Sequence, residues 1–249
     1  MKIDEKEKKS YLQRIAHILM LNGGFLDNPG LFSGEMGIVL FFARYARFTQ
    51  NDLYADYFYD LIEKIQSRIN QETPINYELG LTGIGSAFEY LVQNTFVEAD
   101  TDDILGEFDK RVFMINNLPF LPIEDIQGIG YYALWRTMGI NVSNTTIKDT
   151  IKKVFLPQIM TFLAEKIENP LDILSIRKNP QILDLKAYTY LLDQLSKKDI
   201  IDKNRKNPGI QNGFAGLGLT FLTEIDGDDS WTSLFPEHFL SDNIKSQTE

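Results

Sequence analysis

Glycines and polar residues recur together at four points of the sequence, and this recurrence is the first feature that could carry chemistry. The clearest copy is GLTGIGSAFEYL, which begins at Gly80, and a near twin, GFAGLGLTFL, begins at Gly213. GEMGIVLFFARY at Gly34 and DIQGIGYYALWR at Asp125 are weaker relatives. A glycine-rich helix start presents backbone N–H groups that could bind an anion. No predicted strand precedes any copy and no lysine follows as in a P-loop, so close helix packing is the favoured interpretation.

Polar side chains stand at or just before these glycine phrases, where they would line a cavity if all the phrases share one rim. The candidate cavity-lining residues are Ser33, Glu35, Asn76, Tyr77, Glu78, Glu124, Asp125, Gln127, Gln211 and Asn212. Two adjacent carboxylates, Glu124 and Asp125, could form an acid/base pair. Sequence neighbours diverge in direction, however, so helix capping is an equal alternative for any single one of these residues.

Candidate metal ligands are few. The chain contains no cysteine, which excludes disulfides, thiolate metal sites and cysteine nucleophiles. Its two histidines, His17 and His238, lie at opposite ends of the chain, and neither has a second ligand at metal-binding spacing. We therefore predict no metal site.

Two acidic segments have some likeness to calcium loops. Asp226, Asp228, Ser230 and Glu237 follow the order of calcium ligands, but Trp231 occupies the position where such a loop requires glycine. Residues 98–103 lack both that glycine and the terminal glutamate, so they are interpreted as a helix cap with acids in the first turn. Neither segment is predicted to bind calcium.

The phrases must be positioned by a repeated helical unit. They start at residues 34, 80, 125 and 213, at intervals of 46, 45 and 88 residues, so a copy near residue 169 has been lost or eroded. Apolar residues at helical spacing follow each phrase, and a second amphipathic stretch lies between copies, which predicts helical hairpins. The glycines predicted to permit close packing are Gly34, Gly37, Gly80, Gly83, Gly85, Gly128, Gly130, Gly213, Gly216 and Gly218.

Further helices are predicted over 4–22, 52–70, 102–115 and 181–197, with Ser33 as the N-cap of the helix that follows it. Asp100 or Thr101 should cap the helix over 102–115. Pro157 should kink or divide the stretch that ends near Ile167.

Composition limits the class of protein. The chain has 249 residues, and the unbroken repeat predicts a single domain over 1–249. A formal charge of −10 argues against nucleic acid or an anionic membrane as partner and is compatible with a basic peptide. No run approaches the roughly 20 apolar residues of a membrane span, and the N-terminus has no signal-peptide pattern. A cytoplasmic location is the expectation.

The phrases GLTGIGSAFEYL and GIQNGFAGLGLTFL resemble the glycine motifs of the lanthionine synthetase C-like family, the cyclases of lantibiotic maturation and their relatives. Trp231 in DSWTSLF is similar to a tryptophan at the end of that family's chains, and the resemblance runs from Gly30 to about Phe235. It implies an all-α fold, an α/α toroid in which glycine-led inner helices surround a cavity. With four phrases and one eroded copy, we expect about five hairpins in a closed ring or an open arc. An open arc would expose apolar edges and favour a homodimer or a partner subunit.

The resemblance also implies zinc-assisted addition of a peptide thiol to a dehydrated Ser or Thr, with zinc held by two cysteines and one histidine. A Cys-His pair of that family directly precedes one phrase, whereas Ser33, Leu79, Glu124 and Asn212 occupy those positions here. A family aspartate falls on Asn76, which cannot act as a base.

We therefore expect a degenerate member with no catalytic residue, metal or cofactor, which binds a peptide or partner protein, with peptide maturation as one setting in which it could act. Two alternatives remain open. One is a carboxylate-dependent enzyme such as a glycoside hydrolase, which would need facing carboxylates across a cleft. The other is an assembly scaffold.

Overall fold

The protein is described from a computed structural model that covers residues 3–23, 26–115, 118–138, 145–167, 182–197 and 207–235. Its α-helices are α1 (Glu5–Gly23), α2 (Glu35–Thr49), α3 (Asp52–Arg68), α4 (Leu81–Gln93), α5 (Thr101–Phe113), α6 (Ile123–Met138), α7 (Thr145–Thr150), α8 (Leu156–Lys166), α9 (Leu185–Ser196) and α10 (Phe214–Asp226). The predicted all-α fold is confirmed for these residues. Within them, no helix has the length and apolar character needed to cross a membrane.

The chain divides into two compact units. The first comprises Met1–Ile69 and Pro180–Glu249 and contains α1, α2, α3, α9 and α10. In it, α2 packs against both α3 and α10, and α1 packs against α10. The second unit, Asn70–Asn179, contains α4 to α8. There α4 packs against α5 and α6, and α6 packs against α8.

Three glycine-led helices form the inner layer of these units. Every residue is buried from Glu35 to Tyr45 in α2, from Leu81 to Leu91 in α4 and from Phe214 to Leu222 in α10. The other helices bury one face; α3, for example, buries Tyr54 and Phe58 among its apolar residues and leaves its acids outside. The aromatic residues of α3 therefore belong to the core, as expected for such stripes.

Three loops, called here the capping loops, precede the inner helices: residues 28–34 before α2, 74–80 before α4 and 207–213 before α10. Each ends in the N-cap glycine of its helix, Gly34, Gly80 or Gly213. None of these glycines has a left-handed backbone, so the need for glycine is not conformational. A Cβ at any of them would overlap a backbone carbonyl at the start of its own loop.

Those carbonyls are held in place because they bond to the first amides of the helix. The amide of Glu35 donates to the Asn28 carbonyl at 2.9 Å, and that of Leu81 donates to the Pro74 carbonyl at 2.8 Å. In α10 the Phe214 amide donates to the carbonyl of residue 207 at 2.9 Å. The second amide of each helix bonds to the next carbonyl of the loop, at 3.3, 3.3 and 3.2 Å. The first two N–H groups of each of these three helices are thus satisfied by main chain rather than by a capping side chain.

The predicted N-cap Ser33 is therefore wrong. Gly34 is the cap of α2 and makes no side-chain cap bond, and Ser33 lies exposed in the loop. By contrast Asp100 caps α5 as predicted, through a bond from the amide of Asp102 at 2.9 Å. Asp184 caps α9, so that helix begins four residues later than its predicted start at residue 181. Side chains cap the outer helices α3, α5 and α9, whereas carbonyls cap the inner ones.

The start of α6 is built differently from those of α2, α4 and α10. This difference accounts for Asp125 at the position where the other phrases have glycine. The helix starts at Ile123, so Asp125 lies inside the first turn. The amides of Asp125 and Ile126 both bond to the Pro122 carbonyl, at 3.1 and 3.2 Å, and there is no capping loop of the kind that precedes α2, α4 and α10. Because no loop carbonyl lies against the backbone of residue 125, a side chain fits at that position.

Later glycines of the phrases allow neighbouring helices to approach. A Cβ at Gly85 of α4 would lie 2.5 Å from the Tyr132 ring of α6. A Cβ at Gly218 of α10 would overlap the Phe41 ring of α2. The predicted close packing at these two glycines is present.

Pro157 was predicted to kink or divide its helical stretch, but the backbone stays helical from Thr150 through Leu156 and changes only its hydrogen-bond pattern. Residues Ile151–Phe155 form a π-helical turn, and α8 starts at Leu156 with the proline in its first turn. The Leu156 amide bonds to the carbonyl of Ile151, five residues earlier. Proline has no amide hydrogen, and the wider turn makes room for its ring. The eroded copy predicted near residue 169 lies outside the described residues.

Replacing Gly80 by alanine should destabilise the protein, because the new methyl group would displace the Pro74 carbonyl and its bond to α4. We expect the free energy of unfolding, measured by urea denaturation, to fall by about 1–3 kcal/mol. Gly106→Ala in α5 is the matched control, because no heavy atom lies within 4 Å of the added Cβ. It should raise stability by about 0.5–1 kcal/mol through helix propensity. Equal effects at the two sites would contradict the carbonyl explanation.

Candidate binding site at the helix starts

In the first unit the capping loops of α2 and α10 lie against each other. The amides of Ile210 and Gln211 donate to the Phe32 carbonyl at 2.9 and 3.0 Å. A Cβ at Gly209 would lie 2.7 Å from the Cα of Ser33. The structure thus brings together two candidates, Ser33 and Gln211, from opposite ends of the sequence.

Asn212 has a structural role in the same place. Its backbone is left-handed, with φ of 50°, and its side-chain oxygen accepts the Asp184 amide at 2.9 Å. Its side-chain amide donates to the Asp184 carboxylate at 3.2 Å. Asn212 therefore ties the α10 capping loop to the start of α9, and Asp184 in turn caps α9 through the Ala187 amide at 2.7 Å.

Glu35 is the first residue of α2 and is fully buried. Its Oε1 atom accepts hydrogen bonds from Lys64 and, at 3.0 Å, from Arg68, both on α3. Within the described residues its Oε2 atom is buried and has no hydrogen-bond partner. Glu35 is thus enclosed beneath the start of α2 and paired with cations that are partly exposed.

In the second unit the α4 capping loop lies against the first turns of α6. A Cβ at Gly128 would lie 3.0 Å from Tyr77 Cβ and 3.3 Å from Thr82 Oγ1. Asn76 accepts the Leu79 amide at 2.8 Å and so shapes the loop, and Glu78 is half-buried beside it. These contacts bring the candidates of α4 near those of α6.

Tyr77 is buried in the core of the second unit. It is 1% exposed, and its ring meets that of Tyr131 edge to face with centroids 5.5 Å apart. Burial, with a smaller contribution from Tyr131, raises the pKa of Tyr77 well above its usual value, and a hydrogen bond with Ser86 opposes the shift. Gln127 is also buried. These two candidates are therefore not available to a ligand at the surface.

Glu124 and Asp125 differ in environment although they are adjacent. Glu124 is exposed, whereas Asp125 is half-buried. Burial, and then the charge of Glu124, raises the pKa of the Asp125 carboxyl. The two therefore place an acidic surface at the start of α6, near the α4 capping loop.

Two acids of the calcium-like segment at the end of α10 pair with an arginine side chain. Asp226 accepts two hydrogen bonds from Arg44 at 2.8 and 2.9 Å, and Asp228 lies 3.5 Å from the same guanidinium. Arg44 is 3% exposed and supplies the positive charge that these carboxylates require. Glu237, the remaining acid of that pattern, lies outside the described residues. The buried Trp231 packs in the turn that follows, Ser230–Leu234.

A buried ionic cluster centred on Arg136 was not predicted from the sequence. Arg136 of α6 pairs with Glu89 of α4, with Asp102 of α5 at 2.7 Å and with Asp109 of α5 at 2.8 Å, and Tyr132 donates to Asp109 at 2.7 Å. All are buried. Burial alone would lower the pKa of Arg136, but the bonds to Asp109 and the nearby carboxylates raise it overall. The signal in the sequence is that Glu89 and Arg136 each stand among apolar residues near the end of a glycine phrase.

The residues present do not fit the zinc site that the family implies. The chain has no cysteine, and the residues before the phrases serve other purposes. Ser33 and Glu124 are exposed, and Asn212 holds Asp184. His17 is exposed on α1, and His238 lies outside the described residues. Among the residues with described positions, no three His, Cys, Asp or Glu side chains form a group that could hold a metal ion.

Replacing Arg136 should destabilise the second unit, because Glu89 and Asp109 would remain buried without a cation and Asp102 would keep only Lys148, at 3.6 Å. We expect Arg136→Met to cost about 3–5 kcal/mol of unfolding free energy. Lys110→Met on the exposed face of α5 removes only a surface ion pair and should change stability by less than about 1 kcal/mol. If Arg136→Met does not fold, Arg136→Lys serves as a second variant. It keeps the charge but loses the planar guanidinium that bonds to several carboxylates at once, so it should still unfold at a lower urea concentration than wild type. Wild-type stability in both Arg136 variants would contradict the role of the cluster.

Comparison with known families gives a match that covers two of the three capping loops. The family model described as lanthionine synthetase C-like protein matches residues 26–190, which include the capping loops of α2 and α4. Comparison with curated proteins and with solved structures gives no match. The family match covers more than half of the 249 residues. The chain therefore belongs to the lanthionine synthetase C-like family.

Proposed function

We propose that this member of the family binds a peptide, or a peptide-like segment of a partner protein, at the starts of its inner helices and does not carry out zinc-dependent cyclisation. The observation that carries the proposal is that the polar residues Ser33, Glu124 and Asn212 stand at positions before the phrases where the family implies zinc ligands, and that main-chain hydrogen bonds fix the loops of Ser33 and Asn212. A rigid loop presents side chains in one arrangement, which lowers the entropy lost on binding.

The starts of α2, α4 and α10 are called closed here because their first two amides are already hydrogen-bonded. Closed helix starts favour recognition of a ligand by side chains rather than by backbone amides. The first two amides of α2, α4 and α10 already bond to loop carbonyls. A phosphate or carboxylate would have to break those bonds to use the helix N-terminus in the usual way. Selectivity at these three helix starts therefore depends on the side chains of the loops and of their neighbours.

The surface beside the α4 capping loop, in the second unit, favours a basic and partly apolar ligand. Glu124 and Asp125 supply negative charge at the surface. Leu79 of the capping loop is 37% exposed, and Phe120, shortly before α6, is 86% exposed. Acids beside exposed apolar side chains complement a peptide that has Lys or Arg next to apolar residues. The chain's net charge of −10 would attract such a peptide over a longer distance.

The glycoside hydrolase alternative is less well supported. A glycosidase needs two carboxylates on either side of its substrate, one of them protonated at working pH. The raised pKa of Asp125 suits such an acid, but Glu35 is enclosed and paired with two cations. The carboxylates near Arg136 are buried and paired in the same manner. Binding is therefore the function proposed.

The direct test is retention of peptides from a pool of randomised decapeptides by the immobilised protein, with the retained peptides identified by mass spectrometry. We expect wild-type protein to enrich peptides that contain Lys or Arg next to apolar residues. The double variant Glu124→Gln/Asp125→Asn should lose most of this enrichment, because each charge contributes to a complementary surface.

The matched control is Asp103→Asn/Glu107→Gln, which removes the same charge from the exposed face of α5 in the same unit. It should behave as wild type. Failure of the wild-type protein to enrich any class of peptide would refute the binding function. Zinc-dependent loss of alkylatable thiol from a peptide that contains cysteine and dehydroalanine would refute the proposed absence of cyclase activity.

A further inference from the structure

Arg111 in the last turn of α5 holds the main chain that leads into the α4 capping loop. Its Nη1 atom donates to the Asn70 carbonyl at 2.7 Å, and its Nη2 atom donates to the carbonyls of Gln71 and Thr73 at 2.9 and 2.6 Å. Several carbonyls of one short turn are thus bonded to a single planar group. A guanidinium presents its donors in a fixed arrangement, so these bonds fix the position of the turn relative to α5.

The turn that Arg111 holds leads directly into the start of α4. It is closed by its own bonds, from the Asn70 amide to Thr73 Oγ1 at 3.0 Å and from the Thr73 amide to the Asn70 carbonyl at 3.1 Å. Pro74 follows, and its carbonyl accepts the Leu81 amide at 2.8 Å. A shift of the turn would therefore move the carbonyl that bonds to the first amide of α4.

A comparable contact holds the main chain before the α2 capping loop. Arg68, in the last turn of α3, donates to the Leu26 carbonyl, shortly before residue 28. Helix α3 packs against α2, and α5 packs against α4. In both pairs an arginine at the end of the second helix thus bonds to main chain just before the capping loop of the first. The recurrence indicates that this contact belongs to the way these loops are held.

The position of the α4 capping loop determines where Leu79 lies relative to the acids at the start of α6. The loop packs on α6 through Tyr77, whose Cβ would lie 3.0 Å from a Cβ at Gly128. Glu124 and Asp125 belong to the same helix as Gly128. A loop that is free to shift would present its exposed leucine at varying distances from these carboxylates.

We infer that Arg111 is a positioning residue for the peptide site of the second unit and sets the separation between the basic and the apolar residue that the site selects. The carboxylates of Glu124 and Asp125 select the charge, Leu79 contacts the apolar residue, and Arg111 fixes the distance between the two contacts. A binding surface is selective for geometry only when a second set of residues holds it in place. This inference rests on the proposed function, because it names a selectivity of that same site.

The test is the spacing of residues within the peptides that the immobilised full-length protein retains from a pool of randomised decapeptides. Retained peptides are sequenced by tandem mass spectrometry, and the separation between Lys or Arg and the nearest large apolar residue is compared with that in the unselected pool. We expect wild-type protein to enrich one separation about fivefold over the others, the effect of one partly buried apolar contact.

Arg111→Gln should remove the preferred separation, while peptides with Lys or Arg remain enriched through the acids of α6. Arg111→Lys keeps the charge but cannot bond to several carbonyls in a fixed arrangement, so the preference should fall to about twofold. The matched control is Lys110→Gln, which removes the same charge from the neighbouring exposed position. It should keep the wild-type preference.

Hydrogen exchange gives a second measurement that needs no peptide. In Arg111→Gln the amides of Leu81 and Thr82, which bond to the carbonyls of the capping loop, should exchange about 10-fold faster than in wild type. The amide of Phe88 in the middle of α4 should change little. An equal rise at Phe88 would mean that the substitution lowers stability in general, which would contradict a role in holding the loop.

Enrichment of basic and apolar peptides by wild-type protein without a preferred separation would overturn the role of Arg111 and leave the proposed function standing. A preference that persists unchanged in both Arg111 variants would also overturn it. Retention of no class of peptide by wild-type protein would overturn the proposed function and, with it, this inference.

Discussion

The arrangement of the inner-helix starts depends on the contact between a loop carbonyl and the glycine at the start of each inner helix. The carbonyl six residues before the glycine bonds to the first amide of the helix, and this occurs at Gly34, Gly80 and Gly213 alike. A side chain at the glycine would occupy the position of the carbonyl. The glycine therefore fixes the shape of the loop, and the loop fixes the positions of the residues beside it.

This constraint separates the fold of the family from its chemistry. Closed helix starts and closely packed inner helices need glycine and apolar residues, and the chain has kept both. Zinc chemistry needs cysteine and histidine at particular places, and the chain has no cysteine. Function resides in the side chains carried by a fold, so helix starts of this kind can carry more than one chemistry. Under the proposed function, the acids at the start of α6 supply that chemistry in this chain.

The inner helices and the family could be predicted from the repeat. Each phrase contains both the glycines and the apolar residues that its own helix start requires, so the pattern is visible within a few residues. Ser33 was misassigned because capping by a distant carbonyl leaves no signal in the side chains. Helix α6 begins at Ile123, before its phrase rather than within it, because no capping loop precedes it. Only the structure reveals that this loop is absent. The Arg136 cluster joins residues of three helices that are up to 47 positions apart, and no local pattern records such pairing. Among the candidates, Tyr77 and Gln127 are buried, which the sequence did not distinguish from the exposed polar residues beside the same phrases.

Hydrogen exchange of the first amides of the inner helices tests most directly whether these helix starts are closed. In an ordinary helix the first amides have no intrahelical acceptor and exchange readily. Here the amides of Glu35, Leu81 and Phe214 should be protected about as well as those in the middle of their own helices, whereas the first amides of α3 and α5 should exchange with little protection. Exchange at Glu35, Leu81 and Phe214 as rapid as at the starts of α3 and α5 would mean that the carbonyls do not close the inner helices. The side-chain basis of recognition would then fail.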